Sequence, residues 1–374
     1  MDPETTIRRP FMRGCFFGMA ICEILASDSE FGNLGAETTM TLRMAEALCA
    51  DGAFRTDNLS TYVKELLLWF KAPNSGINNG YIKHSIALAL NVWGRYMATT
   101  SPLRMEEGGG GGLGMEQMTA RFQEGQEAVK NELGLFNNDA AGLTRVVPVA
   151  LYFFFANRDS LDRGCASVSR LTALTHPQLH ITLISSTFSH LLYFSFVIFN
   201  GNNTGPNTMI IRMTKQTLAE KFASQVREIE QTYLSERYQM WQNPTSSEYI
   251  KKQSAMFVDR FRPYATIDAW KARQVADLNP TASALDTFEA ALWCFFARDT
   301  FAAGAVEAMS MGGDAKTIAA VYGALAGAYY GYDSIPAEWV RVVAEPKVLD
   351  DVSERLGILR EGLKAGFGVG SSMI

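Results

Sequence analysis

The sequence predicts an all-α protein, and three observations carry that expectation. Apolar residues recur at helical spacing along almost the whole chain, whereas alternating, strand-like runs are short and few. Turn-forming residues are gathered into separate breaks at 28–37, 72–80, 105–114, 200–208 and 277–283. The composition, 47 % apolar and 20 % charged over 374 residues, is that of a globular chain able to bury a sizeable core, as two ordinary domains or one large one. No repeat of fixed period is visible, which disfavours a solenoid.

Taken in order, the first helix is expected over 13–26, where Gly14 and Gly18 permit close contact with a neighbour. The second, 38–51, has Thr38 or Thr39 as a hydroxyl cap and Met40, Met44, Ala47 and Leu48 as its buried stripe. Periodicity then places helices at 58–71, 80–98, 115–131, 142–157 and 162–173. The apolar run ITLISSTFSHLLYFSFVIF falls in a helix over 178–199; its Thr, Ser and His residues favour a buried core helix over a membrane span. Residues 214–241 read as a long helix with a solvated, charged face. Helices at 246–260, 283–297, 299–310, 315–330 and 350–364 complete the set. The five consecutive glycines at 108–112, within 105–114, predict a mobile surface loop; no Lys-Ser or Lys-Thr follows to make it a phosphate loop.

A net charge of −5 provides no basic field for nucleic acid. The five cysteines are scattered and never spaced as CxxC, and no signal-length apolar segment precedes Arg13, so a reducing cytoplasm and no membrane attachment are expected. His176 and His180 stand four apart, but Pro177 lies between them and no third ligand is evident, which favours a structural role over zinc.

Three segments share a pattern in which small residues and acids lead into a helix: RGCFFGMAICEILASDSEF, GAETTMTLRMAEAL and MGGDAKTIAAVYGALAGAYYG. Convergent carboxylates and hydroxyls at helix starts are what a hard cation requires. Singly, each reads as a capped helix. Together with GLTRVVPVAL, LTALTHPQLH and the stretch from Ala291 to Trp339, their order resembles the ADP-ribosylglycohydrolase family over about residues 13–340. The resemblance implies a single compact all-α domain over 13–365, with flexible segments at 1–12 and 366–374. It also implies a cleft for ADP-ribose, in which two magnesium ions assist hydrolysis of the bond between ribose and an acceptor.

The departures from that family's pattern are specific. Its T-D-D-T motif falls on Gly35, Ala36, Glu37 and Thr38, and its D-x-D-T motif on Asp314, Ala315, Lys316 and Thr317. Over the four acid positions the formal charge falls from −4 to −1, since Glu37 and Asp314 remain and Lys316 adds a positive charge. No metal cofactor is expected on these remnants, magnesium only as weak binding. Lys316 either pairs with Glu37 and Asp314 or points to solvent. Glu30, Glu37 and Asp314 are the candidate catalytic carboxylates, with Glu23 supporting the site from behind.

The candidate ligand contacts are Gly76, Asn78, Asn79, Gly312, Gly313, Lys316, Thr317 and Tyr330. Gly76, Asn78 and Asn79 equally suit an ordinary turn, and Tyr330, with Tyr329 and Tyr332, either faces an adenine or packs at a helix end. The expected function is a metal-deficient pseudoenzyme binding ADP-ribose, an ADP-ribosylated protein or a related nucleotide. The alternatives are a metal-independent ADP-ribosyl hydrolase using Glu30 with a second carboxylate, and a purely structural protein on the same fold.

Overall fold

The computed structural model describes residues 3–27, 32–52, 59–72, 83–99, 115–134, 137–153, 158–196, 198–200, 210–235 and 244–370. Among them the helices are α1 (Pro3–Leu25), α2 (Ala36–Asp51), α3 (Leu59–Lys71), α4 (His84–Thr99), α5 (Met115–Leu133), α6 (Val147–Tyr152), α7 (Arg158–Ala173) and α8 (Leu179–Phe196). There follow α9 (Lys215–Tyr233), α10 (Pro244–Phe261), α11 (Ile267–Ala272), α12 (Ala284–Ala297), α13 (Phe301–Ser310), α14 (Ala315–Tyr330), α15 (Ala337–Val340) and α16 (Pro346–Gly370). The all-α expectation holds, and the helices form a single compact domain. Two three-residue strands, β1 (Ile198–Asn200) and β2 (Ile210–Arg212), pair antiparallel with Phe199 opposite Ile211.

α12 and α14 are the centre. Every residue from Ala284 to Phe296, and every one from Thr317 to Ala328, is buried, so these helices have no solvated face. α1, α8 and α13 pack against α14, and α10 and α11 cover α12. Phe222, Phe261, Phe288 and Trp270 interlock beneath that cover, with Phe261 and Phe288 ring centres 5.6 Å apart at 79°. Each such buried ring contributes roughly 2–3 kcal/mol relative to exposure.

The α1–α14 contact is set by four glycines. A methyl group at Gly14 would lie 2.4 Å from the Gly327 carbonyl oxygen, and one at Gly18 2.3 Å from that of Gly323. Residue pairs 14–327 and 18–323 run in opposite senses, so the helices are antiparallel at backbone-to-backbone distance. The C-terminal end of α1, carrying Glu23, is thereby brought to the N-terminal end of α14, carrying Thr317.

Several boundaries differ from expectation. The first helix starts before residue 13: α1 begins at Pro3, a residue tolerated in a first helical turn, and continues through Pro10. α16 likewise runs from Pro346 past 365 to Gly370. The helix expected over 142–157 is a short 3-10 turn, Thr144–Val146, followed by α6. The 178–199 helix stops at Phe196, and Ile198–Asn200 turns into the strand pair. α9 ends at Tyr233 rather than 241. No described helix is long and apolar enough to cross a membrane. Glu30, Gly76, Asn78, Asn79 and the glycine run at 108–112 lie outside the described residues.

Candidate functional site

Gly35 is the N-cap residue of α2 and makes no side-chain cap bond. Glu23 supplies the cap from α1: its Oε1 accepts the Glu37 N–H at 2.9 Å, and its Oε2 accepts the Thr38 N–H at 2.9 Å and the Thr38 hydroxyl at 2.6 Å. A carboxylate at a helix N-terminus also meets the positive end of the helix dipole. Gly35 is needed for room, because a Cβ there would stand 2.1 Å from Glu23 Oε1. The expectation that Thr38 or Thr39 caps this helix is therefore corrected. The Thr38 hydroxyl donates to Glu23, and the Thr39 hydroxyl donates back to the Gly35 carbonyl.

Capping by Glu23 holds Glu37 in the first turn of α2 with its carboxylate inside the protein. The Thr144 hydroxyl donates to Glu37 Oε2 at 2.7 Å, and the Thr317 hydroxyl lies 3.4 Å from Oε1. Burial, with the neighbouring negative charges of Glu23 and Asp314, pushes the Glu37 carboxyl up to about 7, against the opposing pull of Lys83 and the Thr144 bond. Burial raises Glu23 too, opposed by its three hydrogen bonds and the charge of Lys316.

Asp314 occupies the N-cap position of α14 without capping it. Its backbone N–H donates to the Pro280 carbonyl at 3.1 Å. Its side chain turns to Lys83, whose Nζ is 2.5 Å from Asp314 Oδ2 and donates to Thr317 Oγ1 at 2.9 Å. The resulting chain is directional: ammonium to Thr317 hydroxyl, and that hydroxyl toward Glu37. Burial works against the Lys83 charge, yet the negative charges of Glu37, Asp314 and Asp139 hold its pKa above the ordinary lysine value.

A further layer lies behind these groups. Asp139 Oδ1 is 2.9 Å from His176 Nε2, and Thr175 Oγ1 is 2.8 Å from His176 Nδ1. Although burial opposes its charge, Asp139 is held well below the usual carboxylate range by His176, Ser85 and the Ala141 N–H. Arg145 is fully buried and donates to the Thr172 carbonyl at 3.0 Å, while its Nε and Nη1 have no hydrogen-bond partner among the described residues. Burial lowers its pKa to about 10, with Glu37 and Asp139 favouring the charged form.

Of the residues singled out from the sequence, Glu37, Asp314 and Thr317 meet at the starts of α2 and α14. Ala36 and Gly35 occupy the first of these starts and offer no side-chain oxygen. Asp314 is held by Lys83, and Lys316, for which both a pair with Glu37 and Asp314 and a solvent-facing position were open, is half-buried and acts electrostatically on Glu23. Gly312 and Gly313 have φ of +79° and +56°, and a Cβ at Gly313 would meet the Pro280 carbonyl at 1.6 Å. They shape the turn that delivers Asp314.

Tyr330 is not near these carboxylates. It sits at the opposite end of α14, roughly 20 Å from Thr317 along the helix axis. There its ring neighbours Phe295, Tyr329 and the Lys215 ammonium. Lys83, Thr144, Asp139 and Arg145 were not singled out from sequence; Thr144 and Arg145 at least lie in the quoted stretch GLTRVVPVAL. His180 contacts Asn138 and Gln253, and like His176 it is spent in core hydrogen bonds. A separate cavity of about 650 Å³ opens beside α10 and α11, lined by Arg260, Tyr264, Arg273 and Glu289. Its central Arg260 is committed to Asp286 and Glu289, at 2.7 and 2.6 Å.

The family model described as ADP-ribosylglycohydrolase matches residues 3–365. The chain is 31 % identical over 87 residues to an ADP-ribosylarginine hydrolase of Serratia proteamaculans, covering 23 % of this chain and 24 % of the relative. It is 42 % identical over 60 residues to an ADP-ribosyl-[dinitrogen reductase] glycohydrolase of Rhodospirillum rubrum, covering 16 % and 20 %. These matches span a quarter or less of the curated relatives' length. A solved structure titled ADP-ribosylglycohydrolase-related protein complex superposes with a TM-score of 0.57 at 18 % identity, covering 94 % of this chain and 99 % of that one, and shares its fold.

Proposed function

This chain belongs to the ADP-ribosylglycohydrolase family, and on that premise we propose that it binds an ADP-ribosyl group, as ADP-ribose or on a modified protein, without dimagnesium-dependent hydrolysis. The observation that carries this reading is that each remaining acid of the motifs is already engaged within the protein. Thr144 and Thr317 face the two oxygens of Glu37, and an ammonium holds Asp314 Oδ2 and Thr317 Oγ1.

Magnesium demands near-octahedral oxygen ligation at about 2.1 Å. Gly35 and Ala36 bring no such oxygen, Lys316 brings a positive charge, and Lys83 adds another between the surviving donors. The residues present do not fit a pair of divalent ions. The start of α14, whose Asp314 makes no cap bond, and the Lys83 ammonium remain as positive groups that an anionic ligand can meet.

A second reading has one observation in its favour. A carboxyl that titrates near 7 is matched to proton donation at neutral pH, so Glu37 is suited to act as general acid in a metal-free cleavage. Glu30 would be its partner carboxylate in that reading.

Calorimetric titration with ADP-ribose in the presence of a chelator separates the possibilities. Binding heat and thermal stabilisation are expected, with no product released from ADP-ribosyl-arginine in magnesium or in chelator. Absence of both heat and stabilisation at millimolar ADP-ribose refutes the binding reading. Product formation in chelator that disappears in Glu37→Gln replaces it with the metal-free hydrolase.

A further inference from the structure

We propose that Lys83 is the resident cation of this site, its ammonium holding the Asp314 carboxylate and the Thr317 hydroxyl beside Glu37, so that removing the ammonium opens these oxygens to one divalent ion. The proposal deepens the metal-free reading above and rests on it.

Lys83 immediately precedes α4 and reaches across 231 residues of sequence to Asp314. An ammonium has three donors and no acceptor. Two of its contacts here are a carboxylate oxygen and a hydroxyl oxygen, and the chain continues through that hydroxyl to Glu37. These are the donor types a hard cation selects. Asp139, on the loop before the 3-10 turn, adds a third negative charge to the field at Lys83. The positive groups acting on the same carboxylates are Arg145 on Glu37 and Asp139, and Lys316 on Glu23.

Charge supplies the argument for one ion rather than two. Glu37 and Asp314 bring at most two negative charges, and Lys83 cancels one of them permanently. Without the ammonium, Asp314 would lose its ion-pair partner and Glu37 would keep only the more distant charge of Arg145, which is costly for the protein and favourable for a dication. Conversely, adding acids at positions 36 and 316 alone would leave the ammonium in place, and such a variant should stay insensitive to magnesium.

The test uses the full chain in five forms: wild type, Asp314→Asn, Lys83→Met, Lys83→Arg, and Lys83→Met combined with Asp314→Asn. Bound Mn²⁺ is counted by electron paramagnetic resonance, and melting is followed with and without Mg²⁺. Methionine keeps much of the lysine's length without its charge. Lys83→Met is expected to bind one Mn²⁺ at least about tenfold more tightly than wild type and to melt higher in Mg²⁺. Wild type and Lys83→Arg should show neither effect, and Asp314→Asn should abolish the gain.

If Lys83→Met is unfolded in chelator, recovery of its helical circular dichroism on adding Mn²⁺ supports the proposal, and failure to recover overturns it. Two further results overturn it. One is tight Mn²⁺ binding by wild type that Asp314→Asn removes; the other is a folded Lys83→Met that ignores both ions. No ADP-ribose is present in these arms, so their failure leaves the calorimetric test of ligand binding standing, and the reverse also holds.

Discussion

Replacing Glu37 by glutamine should make stability less dependent on pH, in a direction opposite to that of most buried, paired carboxylates. In the unfolded chain Glu37 titrates near its ordinary value of 4.5, and in the folded protein burial raises it to about 7. A group whose folded pKa is raised contributes its full stability below the unfolded value and loses it as pH rises through the folded value. The window is therefore about pH 4.5 to 7. A shift of roughly 2.5 units at 1.36 kcal/mol per unit corresponds to about 3 kcal/mol lost by the wild type across it.

Glutamine resembles the protonated carboxyl in shape and has no charge to bury. It retains an acceptor for the Thr144 hydroxyl, whose bond to Glu37 measures 2.7 Å. Urea denaturation of both proteins from pH 4.5 to 8 measures the effect, with equal m-values required for the comparison. The free-energy difference should move in favour of Glu37→Gln by about 3 kcal/mol as pH rises. A flat difference, or one that moves toward the wild type, would mean that Lys83 keeps Glu37 ionised and would refute the burial argument.

Two further predictions concern the backbone. Gly327→Ala would place a methyl group 1.9 Å from the Gly14 carbonyl oxygen, so α1 and α14 must separate; a loss of at least about 3 kcal/mol in urea melts is expected. Gly52→Ala is the contrasting control: among the described residues nothing lies within 4 Å and only the φ of +70° is strained, so about 1 kcal/mol is expected. Gly35→Ala should displace Glu23 and unmake the α2 cap, costing about 2 kcal/mol. Adding Glu23→Asp shortens the carboxylate and relieves the clash, so the double variant should cost less than the sum of the singles; additivity would show that the two positions do not act as a pair.

Local chemistry made much of this protein readable. Helical periodicity marked α2, α8, α12, α13 and α14, because a buried stripe depends only on residues within a few turns of one another. The glycine pairs of α1 and the MGGD turn before α14 were recognisable as places where backbone comes close. Glu37 and Asp314 could be located as surviving acids because the stretches around them resemble the motifs of the ADP-ribosylglycohydrolase family.

Tertiary structure decided which groups face those acids. Lys316 lies two residues from Asp314, which makes it one candidate partner in the sequence, but the Asp314 pair is made by Lys83, which belongs to no motif and looks like any solvated lysine in the sequence. Likewise, Glu23 caps a helix that it does not belong to. Tyr330 shares a helix with Thr317 yet sits at its other end. Sequence alone determined the helices and the family they resemble, since both follow from short-range patterns. The charge inside the site depended on the antiparallel packing of α1 on α14 and on the start of α4, a meeting of distant segments whose partners no local pattern specifies.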